Sequence, residues 1–245
     1  MFWRLVDTDL ASPAYTAACD EAMVRARGKN LVPNTLHLYR RDRPTISLGY
    51  FEAVEESVDL DAARKHRVQL VRRLSGGSAI YTDRDQLIYS AITSREFLPE
   101  DPNQAYELIC SALVRGIGRL GLEAAFKPIN DVLIGGRKVS GSAQKRERDV
   151  VIQHGTLIMD ADFDIMFEVL RTSGEKVRTR EGMTSLAAEL GRKPAVEEVK
   201  SALVRGFEDA LGVTMRRGEL TRFEERCTRH LVETRYGTEE YTLRR

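Results

Sequence analysis

Asp131-Val132-Leu133-Ile134-Gly135-Gly136-Arg137-Lys138-Val139-Ser140-Gly141-Ser142 sets an apolar run and a mixed polar run on either side of adjacent glycines. A two-residue hairpin turn places both central residues at positive φ, which glycine adopts without a Cβ penalty. The spacing therefore predicts a hairpin pairing Asp131 to Ile134 with Lys138 to Ser142. A second hairpin continues from it, joining Gly141-Ser142-Ala143 to Val150-Val151-Ile152 through the charged Lys145-Arg146-Glu147-Arg148, which reads as a solvated turn.

Strand signals also precede this block. Met1 to Asp7 reads as a strand, Thr35 to Tyr39 and Thr45 to Leu48 as a hairpin across Arg41-Asp42-Arg43-Pro44, and Val68 to Arg73, Ser78 to Tyr81 and Leu87 to Thr93 as further strands. Helices separate and follow them. Ser12-Pro13 supplies a cap and a first-turn proline for an Ala-rich helix ending at Gly28; another runs from about Leu60 to Arg67, and Asp101-Pro102 opens one reaching Gly121. From about residue 161 the chain turns mostly helical, with apolar residues at i, i+3 and i+4 over Phe163 to Leu170, Val196 to Leu211 and Thr221 to Thr234. This order predicts an α+β fold, a mainly antiparallel sheet with helices packed on one side, as a single catalytic domain over 1–245.

The charge balance narrows the function classes. With 38 Lys+Arg against 37 Asp+Glu, the net charge of +1 supplies no global field for nucleic acid or anionic lipid. The first residues lack the pattern of a signal peptide, and no apolar run approaches the roughly 18 residues of a membrane span, so a cytoplasmic location is expected. Cys19, Cys110 and Cys227 are odd in number and widely spaced, which fits neither a disulfide framework nor a structural zinc site.

Two segments carry chemistry. Arg72-Arg73-Leu74-Ser75-Gly76-Gly77-Ser78-Ala79 combines cations, hydroxyls and adjacent glycines between strands, a composition suited to anion binding, although a plain hairpin with exposed arginines would share it. It lacks the P-loop spacing. Asn130-Asp131, Lys138, Ser140-Gly141 and His154-Gly155-Thr156 place a carboxylate, a lysine and small residues on neighbouring strands. As structure, the glycines would relieve crowding and Lys138 would face solvent. As a site, Asp131 could hold Mg²⁺ against nucleotide phosphates and Lys138 could face an α-phosphate.

The paired motifs resemble those of lipoate-protein ligases: Arg-Arg-x-Ser-Gly-Gly at residues 72–77, then Asn130-Asp131, Gly136-Arg137-Lys138-Val139-Ser140-Gly141-Ser142-Ala143 and His154-Gly155-Thr156-Leu157, in the same order. The resemblance implies the α+β fold shared with biotin ligases and octanoyltransferases. It also implies ATP-dependent activation of lipoate or octanoate to lipoyl-AMP or octanoyl-AMP, and transfer onto a lysine of a lipoyl-domain or glycine-cleavage-H-like protein. By carry-over, Lys138 would be catalytic, Asn130 and Asp131 would serve phosphates and metal, and Arg72, Ser75, Gly76, Gly77, Ser78, Ala79, Ser140, Gly141, His154, Gly155 and Thr156 would line the acyl-adenylate site.

Two departures accompany the resemblance. Ser78 stands where many relatives have a third glycine. The chain also resembles the archaeal-type arrangement without an accessory domain, implying either a separate small accessory ligase subunit for adenylation or an enzyme working only from preformed lipoyl-AMP. An octanoyltransferase is the nearest rival, disfavoured here because neither the loop before Asn130 nor Asp149 to His154 contains cysteine. Biotin ligation lacks its glycine-arginine repeat, and a silent acyl-adenylate-binding module is the remaining alternative.

Overall fold

In the computed structural model, residues 1–171 and 179–244 are described. In chain order these form β1 (Phe2–Ala11), α1 (Pro13–Gly28), β2 (Thr35–Arg41), β3 (Thr45–Leu48), α2 (Val54–Ser57), α3 (Leu60–Lys65), β4 (Gln69–Arg72), β5 (Ile80–Thr82) and β6 (Gln86–Ser94). Then come α4 (Pro102–Arg119), β7 (Ala124–Lys127), β8 (Asp131–Ile134), β9 (Arg137–Glu147), β10 (Val150–Ile158), α5 (Phe163–Val169), α6 (Leu186–Leu190), α7 (Val196–Leu211), β11 (Thr214–Arg217), α8 (Arg222–Leu231) and α9 (Glu239–Leu243).

Eight strands make the main sheet, ordered β11-β1-β2-β6-β10-β9-β8-β7; β4-β3-β5 form a small second sheet. Antiparallel pairing dominates, as the hairpin signals predict, with parallel pairs at β11-β1, β1-β2 and β3-β4. Gly135 and Gly136 both sit at positive φ, +55° and +80°, in the turn between β8 and β9.

Alternation along the central strands divides two cores. Leu36 and Leu38 of β2, Leu87, Tyr89 and Ala91 of β6, and Val151 and Leu157 of β10 face α4 and α7. Ile92 of β6 and Val150 and Ile152 of β10 take the opposite face, with Cys19 and Met23 of α1. Helices therefore cover both faces of the sheet, not one. Because β10 is buried on both faces, its apolar residues run on without simple alternation. α4 and α7 approach backbone to backbone: a Cβ on Gly206 would lie 2.2 Å from the Ala112 carbonyl oxygen and 2.8 Å from Gly116 Cα.

Two pairings differ from the sequence expectation. β2 and β3 are not a hairpin but belong to different sheets. Pro44 lacks the N–H a continuing ladder would need, and its carbonyl instead accepts from Gln69 N (2.9 Å) at the entry to β4. β11 had no strand signal, since its Thr-Met-Arg-Arg is half-exposed to exposed; it is extended because the edge of β1 offers it a parallel ladder.

Candidate active site

The face of the main sheet that meets α1 and the small sheet does not close completely. It leaves a cavity of about 740 Å³. Tyr39 and Arg41 reach it from β2, Gln86 and Ile88 from β6, and His154, Gly155, Thr156 and Ile158 from β10. Ser47, Ile80 and Tyr81 close it from the small sheet, Met166 from α5, and Ala17 and Asp20 from α1. Polar groups cluster on β8 and β9, whereas Ile80, Ile88, Ile158, Met166, Leu170 and Met183 make an apolar part.

Asp131, Gly141 and Thr156 are direct cross-strand partners on β8, β9 and β10. Lys138 lies three residues before Gly141, an odd separation that in a regular strand would send the two to opposite faces. A bulge cancels this. Val132 pairs with Ser140 but Leu133 pairs with Lys138, so Val139 is an extra residue. Lys138 consequently folds over Gly141, and its Nζ stands 2.6 Å from Asp131 Oδ1. A Cβ on Gly141 would meet Lys138 Cε and Nζ at 2.7 Å each, so the glycine is the space the lysine uses. The segment 182–184 braces this point from the other side, with Lys138 N donating to Gly182 O and Thr184 N to Lys138 O, both at 2.9 Å. Asn130 is held by its side-chain amide donating to Ser142 O.

The glycine loop is seated on the small sheet. Arg73 N donates to Leu48 O (3.0 Å), Tyr50 N donates to Ser75 O (2.8 Å), and a Cβ on Gly49 would lie 1.8 Å from Gly77 O. The two arginines have different tasks. Arg72, expected in the acyl site, is fully buried and outside the cavity wall; its guanidinium donates to Gly49 O and Glu52 O at 2.8 Å and to Thr242 O at 3.1 Å, tying α9 to the small sheet. Arg73 lines the cavity and ties the loop to itself, donating to Ser47 O (2.6 Å), Gly76 O (2.7 Å) and Ser78 O (3.0 Å). The reversal follows from strand alternation, which sends adjacent residues to opposite sides.

Of the expected site residues, Lys138, Gly77, Ser78, Asn130, Asp131, Gly141, His154, Gly155 and Thr156 share the cavity wall. Ser75, Gly76, Ala79 and Ser140 stand behind it. Sequence reasoning passed over Asp20, Tyr39 and Arg41. Asp20 was detectable as a carboxylate on the alanine-rich, buried face of α1. It accepts His37 Nδ1 (2.9 Å) on Oδ1, and His154 Nδ1 (3.2 Å), the Tyr39 hydroxyl (3.1 Å) and the Ser90 hydroxyl (2.8 Å) on Oδ2. Burial alone would raise this carboxyl, but the hydrogen bonds from the two histidines outweigh burial and hold it well below the usual carboxylate range.

None of the three cysteines lines the cavity. Cys110 lies behind the wall, with Sγ 3.9 Å from Ser142 Oγ, and burial pushes its thiol up to about 12, far from the thiolate a nucleophile needs.

Residues 12–208 match the lipoyl protein ligase A/B catalytic domain. The chain belongs to this family. Among relatives within the superfamily, the octanoyltransferase LipM of Kyrpidia tusciae is 35% identical, covering 99% of each chain. A bi-partite lipoate protein ligase of an archaeal lipoylation system from Thermoplasma acidophilum, described with its E2 lipoyl domain, is 29% identical with a TM-score of 0.88, covering 99% of this chain and 96% of that one. A second T. acidophilum structure, with bound lipoic acid, is 27% identical with a TM-score of 0.86, covering 99% and 100%.

The family match bears out the resemblance and the α+β fold, but the reaction needs correction. The expected ATP-dependent ligase activity is overturned by the full-length relative, whose name states octanoyl transfer and not ligation. That neither the loop before Asn130 nor Asp149 to His154 contains cysteine bears on how an acyl group would be carried, not on whether it is moved. Asp131, the expected Mg²⁺ ligand, has its Oδ1 2.6 Å from Lys138 Nζ, and among the described residues no group of three His, Cys, Asp or Glu side chains is placed to hold a metal ion. No helix among the described residues is long and apolar enough to cross a membrane.

Proposed function

We propose that this protein transfers an octanoyl-type medium-chain acyl group from a preformed activated donor, a carrier-protein thioester, to the ε-amine of a lysine on a lipoyl-domain-type or glycine-cleavage-H-like acceptor in the cytoplasm. The observation that carries this reading is Lys138, held by Asp131 at 2.6 Å over the Gly141 gap in the cavity wall. The cavity falls in the usual size range of ligand sites, with an apolar part for the chain and a polar part for the carbonyl.

Chemically, the acceptor amine attacks the thioester carbon, negative charge develops on the carbonyl oxygen, and the ammonium of Lys138 stabilises that charge. The same positive charge disfavours protonation of the incoming amine. The C–N bond forms, the C–S bond breaks, and the proton released from the amine leaves with the thiolate. Because no cysteine lines the cavity, the acyl group passes directly from donor to acceptor. Transfer from an activated donor needs neither nucleotide nor a separate adenylating subunit.

The test is nucleotide-free incubation with an octanoyl carrier-protein thioester and a lipoyl domain, read by intact mass. One octanoyl group should be gained by the acceptor, and Lys138→Ala should slow this by about 10²–10³-fold. An acceptor that stays unmodified by the thioester yet is acylated from free octanoate with ATP would overturn the reading.

A further inference from the structure

His37 pairs with Ser90 across β2 and β6, and Ser90 pairs with His154 across β6 and β10, so the three form one row beneath α1. All three side chains converge with Tyr39 on Asp20. An ionised carboxylate only accepts, so Nδ1 of each imidazole must carry the proton donated to it. In a neutral imidazole Nε2 is then the acceptor. The outer partners are hydroxyls that can supply those protons: Thr8 Oγ1 lies 2.8 Å from His37 Nε2, and Ser75 Oγ lies 2.6 Å from His154 Nε2. Ser75 Oγ in turn accepts from Arg73 Nε at 3.2 Å, and the same guanidinium donates to Gly76 O and Ser78 O. One chain of directed hydrogen bonds thus runs from α1 to the glycine loop.

Ser75, His154 and Asp20 stand in the order of nucleophile, base and orienting acid. Ser75, however, is 1% exposed and outside the cavity wall, with Arg73 closing on it, so its hydroxyl is a tether. We propose that Asp20 is a positioning residue: it fixes His154 in the Nδ1–H tautomer, and His154 through Ser75 holds the Gly77–Ser78 wall where the acyl donor binds. The consequence for transfer rests on the function proposed above; the tautomer does not.

The experiment uses the full chain with ¹⁵N-labelled histidine and long-range ¹H–¹⁵N spectra, together with steady-state transfer from an octanoyl carrier-protein thioester. Wild-type His154 should show a protonated Nδ1 and a bare Nε2, and Asp20→Ala should shift it toward Nε2–H. Asp20→Ala and Ser75→Ala should each raise KM for the thioester about tenfold while kcat changes less than about threefold, the pattern of lost donor binding. Wild-type protein with His154 in the Nε2–H form overturns the proposal without any variant, which covers the case that Asp20→Ala does not fold. An unchanged KM in Ser75→Ala, or an octanoyl group trapped on Ser75, also overturns it. Absence of transfer in wild type would remove the reaction while leaving the tautomer result standing.

Discussion

Gly141→Ala should cost activity while sparing the fold. The new Cβ would stand 2.7 Å from both Lys138 Cε and Nζ and 3.3 Å from Asp131 Oδ1. Carbon atoms rest at about 3.5–4.0 Å, so the end of the lysine must retreat by roughly 1 Å and give up its place on Asp131. That end is flexible and about a third exposed, so it can swing outward, and the stability change should stay within about 1 kcal/mol. The chemistry has no such latitude. A displacement of about 1 Å at a group that stabilises developing charge is worth about 10²-fold in rate, or about 2.7 kcal/mol of barrier. Acceptor mass gain against time, at several thioester concentrations, should show kcat falling with KM little changed, and the melting temperature should hardly move. Adding Gly141→Ala to Lys138→Ala should cost almost nothing further, because both changes remove one interaction. Full kcat in Gly141→Ala, or an additive loss in the double variant, would refute the role given to Lys138.

Gly155→Ala should do the reverse: its Cβ would meet Gly141 O at 2.7 Å and the buried Tyr89 hydroxyl at 2.8 Å, neither of which can swing away, so about 1–3 kcal/mol of stability should be lost in denaturant titration. Arg72→Ala strands the Gly49, Glu52 and Thr242 carbonyls; hydrogen exchange should quicken at α9, and the melting temperature should fall. A variant with all three cysteines changed to alanine should keep wild-type transfer within about threefold, a loss of more than about 10²-fold pointing instead to a covalent thioester step. Burial would raise the Glu224 carboxyl, but hydrogen bonds from Arg4 and from Thr221 N, with the charge of Arg4, hold it below the usual range. A depressed native pKa gives stability that is fully present above the ordinary glutamate value of about 4.3 and is lost as pH falls below it. Unfolding measured against pH should therefore show a steeper acid loss in wild type than in Glu224→Gln.

Apart from β11 and the short helices α2, α6 and α9, the order of strands and helices was legible in the sequence, as were the Gly135-Gly136 hairpin and the caps at Ser12 and Asp101, because each depends on neighbours in the chain: turn geometry, periodicity, and hydroxyl or carboxylate oxygens meeting nearby N–H groups. So were Lys138, Asp131 and the glycine loop as a candidate site, since a carboxylate, a lysine and adjacent glycines fall on or between neighbouring predicted strands in an order that resembles the lipoate-protein ligase motifs. Three things depended on tertiary structure. The Val139 bulge decides that Lys138 and Gly141 share a face, and a bulge is set by which residues of β8 pair with it. Which arginine enters the cavity depends on which side of the small sheet meets α9 and which meets the main sheet. Asp20 joins His154, 134 residues away, only because α1 lies across the row His37, Ser90 and His154, and such convergence leaves no local pattern along the chain.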